Sequence, residues 1–133
     1  MLFDLGDTMK IFFQGDSITD AGRDRSDNHN LAGYSLLVKN ALGDNYEYVN
    51  YACSGDTSRQ ALKRHEAEFA REKPDILVLL IGINDVWRNV DNVIESMTTS
   101  DEFIDNVTKI KTKINVSILT ILINNYYNHL LKK

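Results

Sequence analysis

The sequence contains few of the residues that crosslink a small secreted domain or hold a metal ion. It has a single cysteine, Cys53, so no disulfide can form within the chain. That cysteine and three scattered histidines give no metal-ligand spacing either. We therefore expect no metal site, and a reducing, cytoplasmic location is the default expectation.

An excess of positive charge and long apolar runs are also absent. The 19 Asp and Glu residues outnumber the 15 Lys and Arg residues, the net charge is -4, and the basic residues form no cluster. Such a chain has no basic face for a phosphate backbone, so nucleic acid is a poor candidate partner. No apolar run approaches the roughly 20 residues that cross a bilayer, and the acidic N-terminal segment lacks the apolar core of a signal peptide. We expect no membrane span.

What the sequence does contain is enough apolar material for one globular domain. Of its 133 residues, 43% are hydrophobic and 26% are charged. We interpret residues 1–8 as an N-terminal extension and residues 9–133 as a single domain. Four apolar runs predict strands, at residues 9–14, 46–51, 75–81 and 114–123. The last two are nearly continuous in Val, Ile and Leu, which is typical of parallel strands covered on both faces.

Amphipathic segments alternate with these strands. Apolar residues at steps of three and four predict helices at residues 31–42, 58–72, 86–97 and 100–113. Two capping boxes, Thr57 with Gln60 and Thr99 with Glu102, mark where the second and fourth helices begin. This alternation favours a doubly wound α/β fold with a mostly parallel sheet, in which chemistry collects at the carboxyl ends of the strands.

Three loops are predicted to emerge at that edge of the sheet. Ser17 follows the first strand, Gly55 follows the second and Asn84 follows the third. A serine hydroxyl and convergent N–H donors suit acyl transfer, because the tetrahedral intermediate carries its negative charge on one oxygen. Each residue also has a plain structural interpretation. Asp16 and Ser17 could cap a turn, Gly55 could be a turn glycine, and Asn84-Asp85 could cap a helix beginning at residue 86.

The segments around these residues carry a family resemblance. GDSITD at residues 15–20, NYACSGDTS at 50–58 and GIND at 82–85 resemble, in order and spacing, the first three sequence blocks of the SGNH hydrolases. These proteins are also called GDSL-type esterases and lipases. The resemblance implies a flavodoxin-like three-layer α/β/α fold.

The resemblance also implies an activity and the residues that perform it. The activity would be hydrolysis of carboxylic esters, thioesters, acyl-lipids or acetylated sugars, so a small ester or acylated sugar is the expected substrate. Ser17 would be the nucleophile. The backbone N–H groups of Ser17 and Gly55 and the side-chain amide of Asn84 would form the oxyanion hole. No metal or organic cofactor is implied.

The catalytic base of that family has no counterpart in this sequence. The family keeps it in an Asp-x-x-His block near the C-terminus, whereas the residue three before His129 is Tyr126. We interpret His29 as a solvated loop residue, and the charged neighbours of His65 indicate an outer layer. His129 is the only histidine late enough for the family order, and it is either the base or, as favoured, part of a surface tail. The resemblance fades after about residue 110. We therefore expect a truncated or altered C-terminus that lacks elements of the family fold.

Several expectations follow from that interpretation of the C-terminus and from the motifs. A missing last strand would leave residues 114–123 as an exposed apolar edge, through which we expect homo-oligomers to form. Trp87 either lines an acyl or sugar pocket or packs in the core. Arg23 and Arg25 either meet a polar substrate or lie in a solvated loop, the latter being favoured.

Two other functions stay open at this point. One is a catalytically inert, truncated SGNH-like domain that keeps the pocket without the chemistry. The other is a flavodoxin-like binder of a small ligand, with an anion held at a helix N-terminus. Four carboxylates, those of Asp16, Asp20, Asp56 and Asp85, are predicted to crowd the edge with negative charge. That charge argues against a phosphate ligand.

Overall fold

The computed structural model describes residues 8–90, 98–112 and 118–123 of the chain. Its strands are β1 (Met9–Gly15), β2 (Tyr46–Asn50), β3 (Ile76–Ile81) and β4 (Ile118–Ile123). Its helices are α1 (Ser17–Asp20), α2 (Gly33–Leu42), α3 (Ser58–Glu72), α4 (Ile83–Val90) and α5 (Ser100–Thr112), with a 3₁₀ turn at Gly43–Asn45. All four predicted strands are present, and helices separate each strand from the next.

The four strands form one parallel sheet in the order β2-β1-β3-β4. Within it, Phe13 of β1 pairs with Asn50 of β2 on one side and with Val78 of β3 on the other. This is the flavodoxin-like strand order, and the direction of winding reverses between β1 and β3. Among the described strands β4 is at one edge, and association of chains through it stays a prediction.

Both faces of the sheet are covered, as the continuous apolar runs predict. Successive residues of a strand point to opposite faces, so Phe12 packs on one side and Phe13 on the other. The first side holds the larger cluster, with residues of α3 and α5 such as Ala61 and Ile110. The second side packs against α2 through Tyr34 and neighbours. The three-layer α/β/α architecture is confirmed.

The best-predicted helix is α3, which has the predicted bounds. The backbone N–H of Thr57 donates a hydrogen bond to Oε1 of Gln60 at 2.8 Å, as a capping box requires. The helix ends at Glu72, and its C-cap, Lys73, has a left-handed backbone with φ of 49° just before the chain's single proline, Pro74. At the start of α5, the N–H of Glu102 donates to the Thr99 hydroxyl at 3.1 Å, which is one of the two bonds of the second predicted capping box.

One helix prediction needs correction, and one short helix was missed. The third predicted helix begins at Ile83 instead of residue 86, because Asn84 and Asp85 lie in its first turn and use their side chains for contacts elsewhere. The short helix α1 was not predicted, since four residues carry no periodic pattern. The parts of the predictions at 1–7, 91–97, 113–117 and 124–133 lie outside the described residues. No helix within the described ranges is long and apolar enough to cross a bilayer.

Candidate active site

The three predicted loops meet at the carboxyl edge of the sheet. The strand β1 leads into Ser17, and its neighbour β3 leads into Asn84. On the other side of β1, the strand β2 leads into the loop that contains Gly55. The site therefore lies at the switch point between β1 and β3, where open α/β sheets bind their ligands.

The chain turns closely after β1 because Gly15 has no room for a side chain. A Cβ at this position would lie 2.3 Å from the carbonyl oxygen of Leu80 and 2.7 Å from the hydroxyl oxygen of Thr19. Both distances are far shorter than ordinary van der Waals contacts. Glycine is needed here for packing, and its absence of a side chain lets α1 begin directly against the end of β3.

Asp16 caps α1 and leaves the Ser17 side chain exposed. Oδ1 of Asp16 accepts a hydrogen bond from the backbone N–H of Ile18 at 3.0 Å, and Asp16 is buried. Burial raises the pKa of this carboxyl, while the hydrogen bond from Ile18 acts in the opposite direction. The turn-cap interpretation thus holds for Asp16. Ser17 is the exposed first residue of the helix, and none of the described residues hydrogen-bonds its hydroxyl.

Gly55 occupies a tight turn, residues 53–56, which we call the Gly55 turn. The N–H of Asp56 donates to the carbonyl oxygen of Cys53 at 3.2 Å, and the N–H of Cys53 donates to that of Gly15 at 3.1 Å. Gly55 has φ of 88°, the value that the third position of a type II turn requires. Gly55 is therefore a turn glycine, and its own N–H takes part in neither of these bonds.

The last residue of the GDSITD segment holds the Gly55 turn from the side of α1. Oδ2 of Asp20 accepts hydrogen bonds from the backbone N–H of Ser54 at 3.0 Å and from its hydroxyl at 2.7 Å. Asp20 is fully buried, and Nε of Arg25 lies 3.3 Å from the same oxygen. Because this acceptor is withdrawn from water, α1 and the Gly55 turn fix each other's position.

Asn84 links the third loop to the second. Its side-chain amide donates to the carbonyl oxygen of Asp56 at 3.0 Å, and the residue is buried. This contact, not the capping of a helix at residue 86, explains why the side chain turns inward. An amide nitrogen carries two N–H bonds, so one donor remains for a ligand at the edge of the sheet.

The neighbouring Asp85 anchors the helix that follows the Gly55 turn. Its carboxylate accepts hydrogen bonds from the backbone N–H of Ser58 at 2.9 Å and from the Ser58 hydroxyl at 2.7 Å. The amide of Asn106 donates to the same hydroxyl at 3.0 Å, which ties α5 into this network. Burial raises the pKa of Asp85, and the bonds from Ser58 oppose the rise.

A charged cluster on α3, with Glu68 buried and Arg64 half-buried, contacts the Gly55 turn through Asp56. Nη2 of Arg64 lies 2.6 Å from Oδ2 of Asp56, and its Nε lies 3.0 Å from Oε1 of Glu68. The amide of Gln14 donates to Oε2 of Glu68 at 2.7 Å. Burial raises the pKa of Glu68 to about 7, although Arg64 and Gln14 both favour its ionised form. Burial also raises the pKa of Asp56, against the influence of Arg64.

The four carboxylates predicted at this edge are present there, but their side chains are buried. All four are at most 7% exposed, namely Asp16, Asp20, Asp56 and Asp85. Each is bound by backbone N–H groups or by an arginine, as described above. Within the described ranges no group of three or more His, Cys, Asp or Glu side chains is arranged to hold a metal ion.

The sequence left the environments of three side chains open, and the structure shows where each of them lies. The solvated-loop interpretation of Arg23 is wrong, since the residue is 8% exposed and donates to the carbonyl oxygen of Ala52 at 3.2 Å. Arg25 is exposed as predicted, although it pairs with Asp20. Trp87 is 59% exposed on α4, so it does not pack in the core.

The described histidines supply no base to Ser17. His65 was expected in an outer layer, but it is 1% exposed, and its ring centroid lies 4.0 Å from that of Phe69. The expectation failed because its charged neighbours in sequence lie on a different side of the helix. His29 is exposed as predicted, with Nδ1 3.3 Å from the carbonyl oxygen of Tyr48. His129 lies outside the described residues.

Comparison with known proteins agrees with this fold and arrangement of motifs. The sequence model of the GDSL-like Lipase/Acylhydrolase family matches residues 13–130. The chain belongs to this family, the SGNH hydrolases. An acetylxylan esterase from Geobacillus stearothermophilus is 38% identical over 97 residues, which cover 65% of this chain and 44% of the esterase. Esterase TesA from Pseudomonas aeruginosa is 40% identical over 80 residues, covering 57% of this chain and 37% of that protein. The SGNH chain described here matches less than half the length of either relative.

Solved structures of similar proteins share the SGNH fold of this chain. A variant of an acetyl xylan esterase from Geobacillus stearothermophilus has a TM-score of 0.76 and 29% identity, over 90% of this chain and 61% of its own. An alpha/beta hydrolase enzyme from the metagenome of Lake Arreo, Spain, has a TM-score of 0.76 and 29% identity, over 85% and 59%. Three further structures of the first enzyme are described as catalytic mutants, with a serine, an aspartate or a histidine replaced by alanine.

The SGNH motifs led to Ser17, Gly55 and Asn84, but not to the residues that hold them together. Asp20 lies inside the GDSITD segment, so its place in that motif was a usable signal. Arg64 and Glu68 are four residues apart on a helix, a spacing that resembles an ordinary surface ion pair. Their further contacts, of Arg64 with Asp56 and of Glu68 with Gln14, join residues distant in sequence, and the sequence pattern does not show them.

Proposed function

We propose that this chain is a serine ester hydrolase. Ser17 Oγ attacks the acyl carbon of a carboxylic ester, the alcohol leaves, and a water then hydrolyses the acyl-enzyme to the free acid. The N–H groups of Ser17 and Gly55 and the second amide N–H of Asn84 hold the oxyanion. A donor of this kind lowers the barrier by about 3 kcal/mol. The observation that carries the proposal is the exposed Ser17 at the start of α1, beside a Gly55 turn that Asn84 holds.

A small ester or an acetylated sugar is the proposed substrate. The relatives that support this class are an acetylxylan esterase and an esterase. Two exposed apolar side chains accompany the motif residues, since Ile18 follows Ser17 and Trp87 lies one helical turn after Asn84. An acyl chain or a sugar ring could pack on such surfaces, because binding sites combine apolar lining with a few oriented polar groups.

The serine needs a base to take its proton at neutral pH. Loss of the histidine from a catalytic triad costs about a millionfold in kcat, so this requirement is large. Among the described residues none hydrogen-bonds the Ser17 hydroxyl. The sequence has no Asp-x-x-His block, so the remaining candidate for the base is His129, the one histidine of the sequence outside the described ranges, acting without the aspartate of that block.

Hydrolysis of p-nitrophenyl acetate by the purified chain tests the proposal. We expect the wild-type chain to release p-nitrophenolate well above the buffer rate and Ser17→Ala to fall to that rate. Ser26→Ala is the matched control, because Ser26 is an exposed loop serine. His129→Ala tests the assigned base and should lose most of the activity. Equal rates for the wild-type chain and Ser17→Ala would contradict a serine hydrolase.

A second candidate is a binding domain that keeps this site without turnover. The observation that favours it is the Ser17 hydroxyl, which has no hydrogen-bonding partner among the described residues. Such a domain would bind an ester and release it unchanged. Saturable binding of ethyl acetate, detected by nuclear magnetic resonance while no acid is formed, would favour this function over the hydrolase.

A further inference from the structure

The guanidinium of Arg88 lies against the Gly55 turn. A Cβ placed on Gly55 would have Nη2 of Arg88 as its nearest neighbouring atom, at 3.9 Å. Because a carbon–carbon bond is about 1.5 Å long, that nitrogen is at most about 5.4 Å from Cα of Gly55. A group bound against the Gly55 turn therefore lies within reach of a positive charge carried by α4.

Arg88 differs from the other arginines near this edge in having no carboxylate partner among the residues that the structure describes. The paired arginines are Arg23 and Arg25 with Asp20, Arg59 with Glu102, and Arg64 with Asp56 and Glu68. The aspartates of the edge are buried and already accept hydrogen bonds from other donors. Because these carboxylates are buried and bound to other donors, the half-buried Arg88 remains able to bind a ligand.

We propose that Arg88 forms a carboxylate-binding subsite beside the oxyanion hole. This inference rests on the proposed function for the position of the acyl group, and it adds a class of substrate or product to that function. The planar guanidinium keeps its charge and can bind both oxygens of a carboxylate at once. The carboxylate is either the acid released from the ester or an acidic substituent that the substrate carries next to the reacting group.

Titration of the ¹⁵N-labelled chain with sodium acetate, followed by nuclear magnetic resonance, tests this without any catalysis. The ionic strength is held constant with sodium chloride. Trp87 is the single tryptophan of the chain and precedes Arg88, so its indole N–H gives one nearby reporter signal, and the Gly55 amide gives a second. We expect saturable shifts of both signals. The affinity for acetate should be about tenfold lower in Arg88→Gln, because one charge-assisted interaction is lost at a partly exposed site.

Matched variants separate a specific site from general charge. Arg88→Lys keeps the positive charge but lacks the planar guanidinium that can bind both oxygens of a carboxylate. Its affinity for acetate should therefore lie between those of the wild-type chain and Arg88→Gln. Arg71→Gln removes an exposed arginine in the last turn of α3 and should leave acetate binding unchanged. Acetamide, which is neutral, should bind the wild-type chain and Arg88→Gln equally. Thermal melts by circular dichroism verify that each variant is folded.

The source of the carboxylate is decided by a second ligand. Succinamate carries a carboxylate and a neutral amide in the place of an ester. Tighter binding of succinamate than of acetate assigns the carboxylate to the substrate, and equal or tighter binding of acetate assigns it to the acid product. In either case the affinity for the tighter-binding ligand must be lower in Arg88→Gln than in the wild-type chain.

The failure of this inference is distinguishable from the failure of the proposed function. Ser17→Ala lacks the proposed nucleophile and should still bind acetate, so an inactive chain still reports on the subsite. Equal affinities for acetate in the wild-type chain and Arg88→Gln, or an equal loss in Arg71→Gln, would overturn the assignment of Arg88.

Discussion

The side-chain amide of Asn84 donates a hydrogen bond to the carbonyl oxygen of Asp56 across 3.0 Å, and the two residues are 28 positions apart in the sequence. This bond joins the loops after β2 and β3 at the edge where Ser17 begins α1. It occupies one N–H of the amide and leaves the other for the proposed oxyanion. Asn84 therefore combines a structural contact with a proposed catalytic one, and substitutions can separate them.

Replacing Asn84 by alanine should lower kcat for p-nitrophenyl acetate by about 10²–10³-fold with a smaller change in KM, because the missing donor acts on the transition state. The matched control is Asn106→Ala. Asn106 is another buried amide, and it donates to the Ser58 hydroxyl at 3.0 Å. This control should lose roughly 1 kcal/mol of stability but keep its kcat. An Asn84→Ala variant with wild-type kcat would remove Asn84 from the catalytic account.

Replacing Asp20 by alanine should destabilise the fold by about 3 kcal/mol, since it removes the acceptor of two bonds from Ser54 and leaves the buried Arg23 without its carboxylate. Asp24→Ala is the comparison, because Asp24 also accepts a bond from a serine N–H, that of Ser26 at 2.9 Å, but on an exposed loop. Asp24→Ala should lower the free energy of unfolding by less than about 1 kcal/mol. Urea unfolding measures both, and similar midpoints would show that the contact between Asp20 and Ser54 adds little.

Glu68 should make the free energy of unfolding fall as the pH rises from 4.5 to about 7. Burial holds its pKa at about 7 in the folded chain against an ordinary value of 4.5, so the folded state retains the proton over that interval. The free energy of unfolding of Glu68→Gln, minus that of the wild-type chain, should therefore increase between pH 4.5 and pH 8. The expected gain is about 3 kcal/mol, with Arg64 and Gln14 still present as donors. Unfolding free energies at pH 5 and pH 8 give the difference, and a constant difference would place the pKa of Glu68 near its ordinary value.

The parts of the fold that the sequence predicts are those that depend on local pattern. The strands followed from continuous apolar runs, and α3 followed from its apolar stripe, from the capping box of Thr57 with Gln60, and from Pro74 beyond its end. The start of α4 was misplaced because Asn84 and Asp85 resemble helix caps when only their neighbours are considered. Their actual partners, Asp56 and Ser58, are distant in sequence.

The parts of the site that the sequence did not predict depend on tertiary burial. Arg23 and His65 stand among charged or polar residues, which favours a solvated position, yet both are buried. The inward direction of the carboxylates, which leaves Arg88 beside Gly55, likewise follows from packing and not from composition. The order of the sequence motifs identified Ser17, Gly55 and Asn84, whereas the side chains that hold their loops in position are visible only in the structure.

The central claim is that Ser17 is a reactive nucleophile, and covalent labelling by a fluorophosphonate measures that directly. The intact mass of the treated chain should increase by one adduct, and peptide mass spectrometry should locate it on Ser17. Ser17→Ala should remain unlabelled, while the exposed loop serine variant Ser26→Ala should be labelled like the wild-type chain. A folded wild-type chain that takes up no adduct, or an adduct that persists in Ser17→Ala, would contradict the account.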